Sequence, residues 1–185
     1  LLAAQGKARH KGVHEGRKCM RRARAILALG GARLGPLAAR MDEKLARVCR
    51  SLSTIRDAQA LIEALLRLPK MGGDSAATVA GAKLGAEQAR DLRMQRALER
   101  DPEFERRRKQ LLQVHEDSKR LDWSGVNLAR MHKAIARSER RLEKSARIAK
   151  KRPEDELAWH RMRRRLRRLR QQLNILEKLV PGENF

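Results

Sequence analysis

The sequence predicts an all-α protein, and three observations favour this fold class. Among its 185 residues, 41% are hydrophobic and 36% are charged, and the common types, such as Ala, Leu, Arg, Glu and Lys, are good helix formers. Strand signals are nearly absent, since the chain has no tyrosine and two phenylalanines. Apolar residues also recur at steps of three and four over long stretches, which is the period of a helix buried on one side.

The first part of the chain is predicted to hold three helices separated by clear breaks. The first, over residues 13–29, ends at Gly30, and the second, over 36–52, follows a Gly-Pro pair. The third helix covers 55–67, after a break rich in serine and threonine, and the segment 69–75 is predicted to be a loop.

The rest of the chain is predicted to hold four more helices. They cover residues 76–99, 103–119, 125–151 and 154–180. The segment from Leu121 to Gly125 is predicted to be a hinge, so we place the main boundary there. This predicts two helical bundles, residues 1–121 and residues 122–185.

The final helix carries two interleaved stripes. The apolar stripe consists of Trp159, Met162, Leu166, Leu169, Leu173, Leu176 and Val180, and the cationic one of His160, Arg163, Arg167 and Arg170. Because consecutive positions differ by about 100° around a helix, we expect the cationic stripe beside the buried face. The segment 160–170 holds seven arginines and no acidic residue. Such a set would repel itself in isolation, which indicates an anionic partner.

The cationic stripe is repeated near the start of the chain. His14, Arg17, Arg21 and Arg24 have the same spacing, and Lys18 and Arg22 match Arg164 and Arg168. This predicts two copies of one helical unit, related by a pseudo-two-fold axis. A third stripe occupies the helix before the last, at Arg130, Lys133, Arg137, Arg140, Lys144, Arg147 and Lys151. If the last two helices form an antiparallel hairpin, these two stripes would border one groove.

The overall charge narrows the class of partner. A formal net charge of +23 favours a polyanion, such as nucleic acid, polyphosphate or an acidic membrane surface. Aromatic residues make up only 2% of the chain, which disfavours single-stranded nucleic acid bound by base stacking. No apolar run approaches the roughly 20 residues of a membrane span. Two cysteines without framework spacing indicate a reducing compartment.

Three spaced motifs resemble one known family. Residues 13–24, 52–58 and 159–164, read in this order, are similar to the CHAD family (conserved histidine α-helical domain). The resemblance implies two helical bundles around a basic central cleft that binds inorganic polyphosphate, with no catalytic activity. By motif match it implies polyphosphate binding by His14, Arg17, Lys18, Arg21, Arg24, Arg56, His160, Arg163, Arg164, Arg167 and Arg170. The repeat and the third stripe add Arg22, Lys133, Arg137 and Arg140 as candidates.

The chain departs from the family pattern after His160, the histidine of the second repeat copy. The helices over 36–52 and 55–67 have no counterparts after the final helix. Two interpretations follow: either the C-terminal part is missing from this sequence, or the second bundle is incomplete and needs a partner.

The two histidines leave several roles open. Each could hydrogen-bond phosphate or position a neighbouring arginine, and a proton gained on anion binding would strengthen contact at mildly acidic pH. A metal held by His14 and His160 together would need the two-fold axis to bring them close, and the surrounding cations disfavour it. The sequence shows no nucleophile–base pair and no phosphate-cradling glycine loop.

The sequence therefore predicts a non-enzymatic polyphosphate-binding module that needs no cofactor or metal. We expect it in a bacterial cytoplasm, at polyphosphate granules, and expect sulfate or phosphate ions to occupy the same positions in crystals. The alternative is a helical protein that grips the nucleic-acid backbone without reading bases.

Overall fold

The computed structural model describes residues 1–6, 8–68 and 74–180, and within these ranges it contains helices and no strand. The helices are α1 (Ala8–Gly30), α2 (Gly35–Ser51), α3 (Ser53–Leu65), α4 (Asp74–Arg100), α5 (Glu105–Ser118), α6 (Leu128–Lys151) and α7 (Glu156–Leu179). The predicted all-α class is therefore confirmed. The predicted loop over 69–75 falls largely on residues 69–73, which lie outside the described residues.

Side-chain caps fix where the last two helices begin. Asn127 accepts a hydrogen bond from the backbone N–H of Arg130 at 3.1 Å, and Asp155 accepts one from that of Ala158 at 3.0 Å. Asn and Asp are favoured at this position because their side chains satisfy backbone N–H groups that lack a partner in the first turn. The sequence predicted a break between these helices at residues 152–153, and in the structure α6 ends at Lys151 and α7 begins at Glu156.

The chain forms two compact units that are drawn from interleaved segments. The first comprises Leu1–Met20 with Lys44–His115, and the second comprises Arg21–Glu43 with Glu116–Phe185. Helices α1, α2 and α5 thus contribute residues to both units. The predicted boundary at residue 121 lies inside the second unit, and the two predicted bundles with their pseudo-two-fold relation stay predictions.

In the first unit, α3 packs against α4. The buried side chains include Val13, Met20, Leu45, Val48, Leu52, Ile55, Ala58, Ile62, Ala86, Met94 and Phe104. The buried residues of α3, at positions 55, 58 and 62, follow the helical period and form one face of the helix.

In the second unit, α6 and α7 pack as an antiparallel hairpin together with the end of α1. The buried centre consists of Leu29, Ile135, Leu169 and Leu176. The predicted apolar stripe of α7 is partly wrong, since Leu166 is 50% exposed whereas Gln172 is fully buried. The buried face therefore runs through Gln172 instead of Leu166.

Candidate anion-binding site

The cationic stripes predicted on α6 and α7 are called ladders below. The ladder of α7 lies on the solvent side of the helix. Arg167 stands about 160° around the helix from the buried Leu169, at about 100° per residue. Five predicted site residues on this helix are exposed, namely His160, Arg163, Arg164, Arg167 and Arg170. The sequence placed this ladder beside the buried face, and the rotation of that face toward Gln172 puts the ladder opposite it instead.

The ladder of α6 has the same relation to the core. Arg137 stands about 160° around the helix from the buried Ile135, and Lys133, Arg137 and Arg140 are all exposed. Both ladders therefore lie on the sides of α6 and α7 that face away from their shared core. They do not follow the line along which the two helices pack, so the predicted groove between them is not formed there.

In the part of the chain whose side chains are described, the ladder cations of the second unit have no carboxylate partner. Among residues 1–6, 8–68 and 76–180, no carboxylate lies within ion-pair distance of Lys133, Arg137, Arg140, His160, Arg163, Arg164, Arg167 or Arg170. Glu139 and Glu143 are close in sequence but are exposed and do not pair with them. Like charges at helical spacing repel, so this surface is suited to an external anion.

In the first unit, His14 and Arg56 are joined directly. The Arg56 Nε–H donates to His14 Nδ1 at 2.7 Å, and Arg56 Nη2 donates to Glu63 Oε2 at 2.9 Å. On the other side of the ring, His14 Nε2 lies 3.7 Å from Glu15 Oε1, and Lys18 Nζ lies 3.3 Å from Glu15 Oε2. The sequence predicted His14, Lys18 and Arg56 as separate site residues, and the structure joins them through two carboxylates that were not predicted, those of Glu15 and Glu63.

Arg17 has a structural partner. Its Nη1 donates to the backbone carbonyl of Cys49, in the last turn of α2. Carbonyls there lack partners within the helix, so the guanidinium satisfies one of them and fastens α1 to the end of α2. This hydrogen bond engages part of the predicted phosphate-binding group.

Arg24 is likewise engaged, through a cluster that the sequence did not reveal. Its guanidinium donates two hydrogen bonds to Asp42. Arg168 Nη2 donates to the carbonyl of Arg24 at 3.2 Å and lies 3.8 Å from Asp42 Oδ1. Burial lowers the pKa of Arg168 from its ordinary high value, and Arg24 and Arg141 lower it further while Asp42 opposes them.

The two remaining predicted residues of α1, Arg21 and Arg22, lie in the second unit. Arg21 is half-buried and Arg22 is exposed. Arg22 therefore differs from its repeat partner Arg168, which is partly covered.

The motifs and the basic ladders agree with the comparison to protein families. The family model for the CHAD domain matches residues 2–185. The chain belongs to the CHAD domain family. No curated protein and no solved structure matched the chain.

Two further features of this CHAD domain bear on its partners. Within the described ranges, no helix is both long enough and apolar enough to cross a membrane. The same ranges contain no group of three or more His, Cys, Asp or Glu side chains arranged to hold a metal ion. His14 and His160 belong to different units.

Proposed function

We propose that this CHAD domain binds inorganic polyphosphate through its cationic ladders and does not catalyse a reaction on it. The observation that carries the proposal is the exposed set of cations on α6 and α7 without carboxylate partners in the described residues. From His160 to Arg170 the helix rises by about 15 Å, a length that can follow several phosphates. Arginine can hydrogen-bond phosphate oxygens in a bidentate manner and keeps its charge at any relevant pH.

Polyphosphate suits this surface better than nucleic acid does. Both polymers carry repeated negative charge, but polyphosphate has no bases that need stacking partners. Aromatic residues form only 2% of the chain, and the candidate residues on the ladders are Arg, Lys and His. The family membership supports the same ligand, and association with polyphosphate granules in a bacterial cytoplasm follows as part of the proposal.

Competition binding tests the choice of ligand. Long-chain polyphosphate and duplex DNA or RNA are titrated separately at equal total phosphate and one fixed salt concentration, because affinity for polyanions depends steeply on salt. We expect tighter binding to polyphosphate. Tighter binding to nucleic acid would instead favour the backbone-gripping alternative.

Incubation with polyphosphate tests the absence of catalysis. We expect its chain length to stay unchanged and no orthophosphate to be released over hours. Time-dependent shortening that is proportional to protein concentration would contradict the proposal.

A further inference from the structure

The hydrogen bond between Arg56 and His14 defines the state of the imidazole. Arg56 Nε lies 2.7 Å from His14 Nδ1, and a guanidinium has only donors. Nδ1 must therefore accept, and the ring proton resides on Nε2.

Arg56 itself is held on more than one side. Besides His14, it donates to Glu63 at 2.9 Å, and its side chain is only 18% exposed. Its Nη1 is buried and makes no hydrogen bond to the described residues. Arg56 therefore cannot present a guanidinium fork to a polymer in solvent without leaving these partners.

The Nε2–H of His14 is the group left to act on a ligand. The side chain is 39% exposed, and the nearest carboxylate oxygen, on Glu15, is 3.7 Å away, which is too long for a hydrogen bond. Lys18 lies beside the same carboxylate at 3.3 Å, with 41% of its side chain exposed. Exposed pairs of this kind are weak, so Lys18 can turn to an incoming phosphate next to the His14 N–H.

We propose that Arg56 is a positioning residue and not a polyphosphate ligand. It holds His14 as the Nε2–H tautomer, and His14 donates this N–H to a phosphate oxygen beside Lys18. The inference rests on the proposed polyphosphate binding. In the second copy His160 is exposed and makes no hydrogen bond to the described residues, so it lacks this brace and serves as an internal control.

Nitrogen NMR of the imidazoles tests the Arg56–His14 hydrogen bond in the absence of polyphosphate. Spectra of ¹⁵N-labelled protein are recorded about two pH units above the ordinary imidazole pKa of about 6.5. For the wild type we expect the His14 proton on Nε2, with Nδ1 shifted by an accepted hydrogen bond. Arg56→Gln should move the Nδ1 signal of His14 and leave that of His160 in place. A proton on Nδ1 in the wild type, or a His14 signal that Arg56→Gln does not move, would overturn the inference.

Conservative variants test the donor role. His14→Asn keeps an acceptor at the δ position and loses the donor at the ε position, whereas His14→Gln keeps an N–H near the ε position. We expect His14→Asn to weaken polyphosphate binding roughly ten-fold, as a lost hydrogen bond to a charged group does, and His14→Gln to weaken it by less than about three-fold. An equal loss in both variants would contradict the donor role.

Salt dependence separates a positioning residue from a ligand. The logarithm of the binding constant falls as the logarithm of the salt concentration rises. Removing one phosphate contact should make this slope shallower by about 0.7, by analogy with single-stranded nucleic acids. We expect this change for Arg167→Gln and no change for Arg56→Gln. In the His14→Asn background, Arg56→Gln should cost no further affinity, because the two residues act through one contact.

The remaining outcomes separate this inference from the proposed function. If the salt slope of Arg56→Gln is reduced as much as that of Arg167→Gln, Arg56 is a ligand. That result would overturn the inference about Arg56 but leave the proposed function standing. If the wild type does not bind polyphosphate, the proposed function and the donor role both fail, and the NMR spectra still decide the role of Arg56.

Discussion

The carboxylate of Asp42 accepts two hydrogen bonds from the guanidinium of Arg24, from Nε to Oδ1 at 2.8 Å and from Nη2 to Oδ2 at 3.0 Å. This is the bidentate arrangement in which arginine also binds phosphate. Arg168 approaches the same carboxylate at 3.8 Å. Asp42 thus occupies, inside the protein, the place that a phosphate would take on these two arginines.

Replacing Asp42 by asparagine should raise the affinity for polyphosphate about two- to five-fold, since it frees Arg24 and Arg168 and adds one unit of net charge. The side chains of Asp42 and Arg24 are each 30% exposed, so the stability lost should be only about 0.5–1 kcal/mol. Titration with polyphosphate and urea unfolding measure the two effects.

Asp57→Asn is the matched control, because Asp57 is exposed, makes no ion pair in the described part of the chain, and changes the net charge equally. A similar gain in both variants would show an effect of net charge alone. A loss of affinity in Asp42→Asn would mean that the carboxylate holds the arginines in their binding orientation.

Asp101 anchors the start of α5. It is 4% exposed and accepts from the backbone N–H of Arg106 at 2.8 Å and from Arg107 Nη1 at 2.6 Å. The Arg107 guanidinium also lies 5.3 Å from the centre of the Phe104 ring. Asp101→Ala removes a helix cap and leaves a mostly covered arginine unpaired, so we expect a loss of about 3 kcal/mol in the free energy of unfolding.

Glu105→Ala is the control for Asp101, since the Glu105–Lys109 pair is exposed and we expect no measurable change. Urea unfolding of both variants provides the measurement. A loss for Asp101→Ala as small as that of the control would contradict a structural role for this ion pair.

The helices could be predicted from the sequence because each has a regular apolar period, but the buried face of α7 could not be placed accurately. Leu166 fits the period and yet is 50% exposed, while the polar Gln172 is fully buried. Periodicity shows which side of a helix is more apolar. The side that becomes buried is decided by the partners, which here are Leu29 of α1 and Ile135 of α6.

The candidate site, like the fold, could be predicted from the sequence only in part. The ladders of α6 and α7 are visible in the sequence because their members stand three and four residues apart on one helix. Arg24 and Asp42 are 18 residues apart, and His14 and Arg56 are 42 apart, on different helices. No local spacing reveals such pairs, so the arginines that are engaged internally could not be separated from the exposed ones before the structure was known.

Stability should depend on pH through His10. Burial and the nearby Arg90 lower the pKa of His10, with a smaller contribution from Arg9, while Asp91 acts in the opposite direction. The unfolded chain therefore binds a proton on His10 more readily than the folded chain does. The contribution is favourable above the unfolded pKa of about 6.5 and is lost as the pH falls below it.

Urea unfolding at a series of pH values from about 7.5 to about 5.5 measures this effect. This range spans the ordinary imidazole pKa. We expect His10→Gln to lose less stability over this range than the wild type does. His132→Gln, at an exposed position, should follow the wild type. If His10→Gln also follows the wild type, the dependence does not arise from His10.

Gln172 should be replaceable with a gain in stability. Its side chain is fully buried, and neither its Nε2 nor its Oε1 hydrogen-bonds to any described residue. A buried amide without partners costs about 1–3 kcal/mol. Gln172→Met, which keeps the length of the side chain, should raise the free energy of unfolding by about 1–2 kcal/mol.

Gln171→Met tests whether this gain comes from the buried amide, because Gln171 is only partly buried and its replacement should change stability by less than about 0.5 kcal/mol. Denaturant unfolding of the two variants decides the matter. A loss of stability in Gln172→Met would indicate that the amide is satisfied in solution, by bound water for example.

Charge reversal on the α7 ladder tests the binding surface most directly. Arg163 and Arg167 are exposed and have no carboxylate partner in the described ranges, so Arg163→Glu with Arg167→Glu should leave the fold intact, which circular dichroism checks. The double variant loses two phosphate contacts and adds two repulsive charges. We expect affinity for polyphosphate to fall roughly a hundred-fold, with a salt slope lower by about 1.4 if each contact contributes about 0.7.

Arg93→Glu with Arg96→Glu is the matched control, since these two arginines are exposed on α4, outside the ladders, and change the net charge by the same amount. We expect only a few-fold loss of affinity and an unchanged salt slope, because long-range attraction is screened over about 10 Å at 0.1 M salt. Comparable losses in the two double variants would mean that the whole cationic surface attracts the polymer and that the ladders hold it in no particular place. The salt slope decides between binding at the ladders and attraction by the whole surface. Charge reversal on a diffuse surface weakens the attraction but removes no defined phosphate contact, so the slope should then be the same in both double variants.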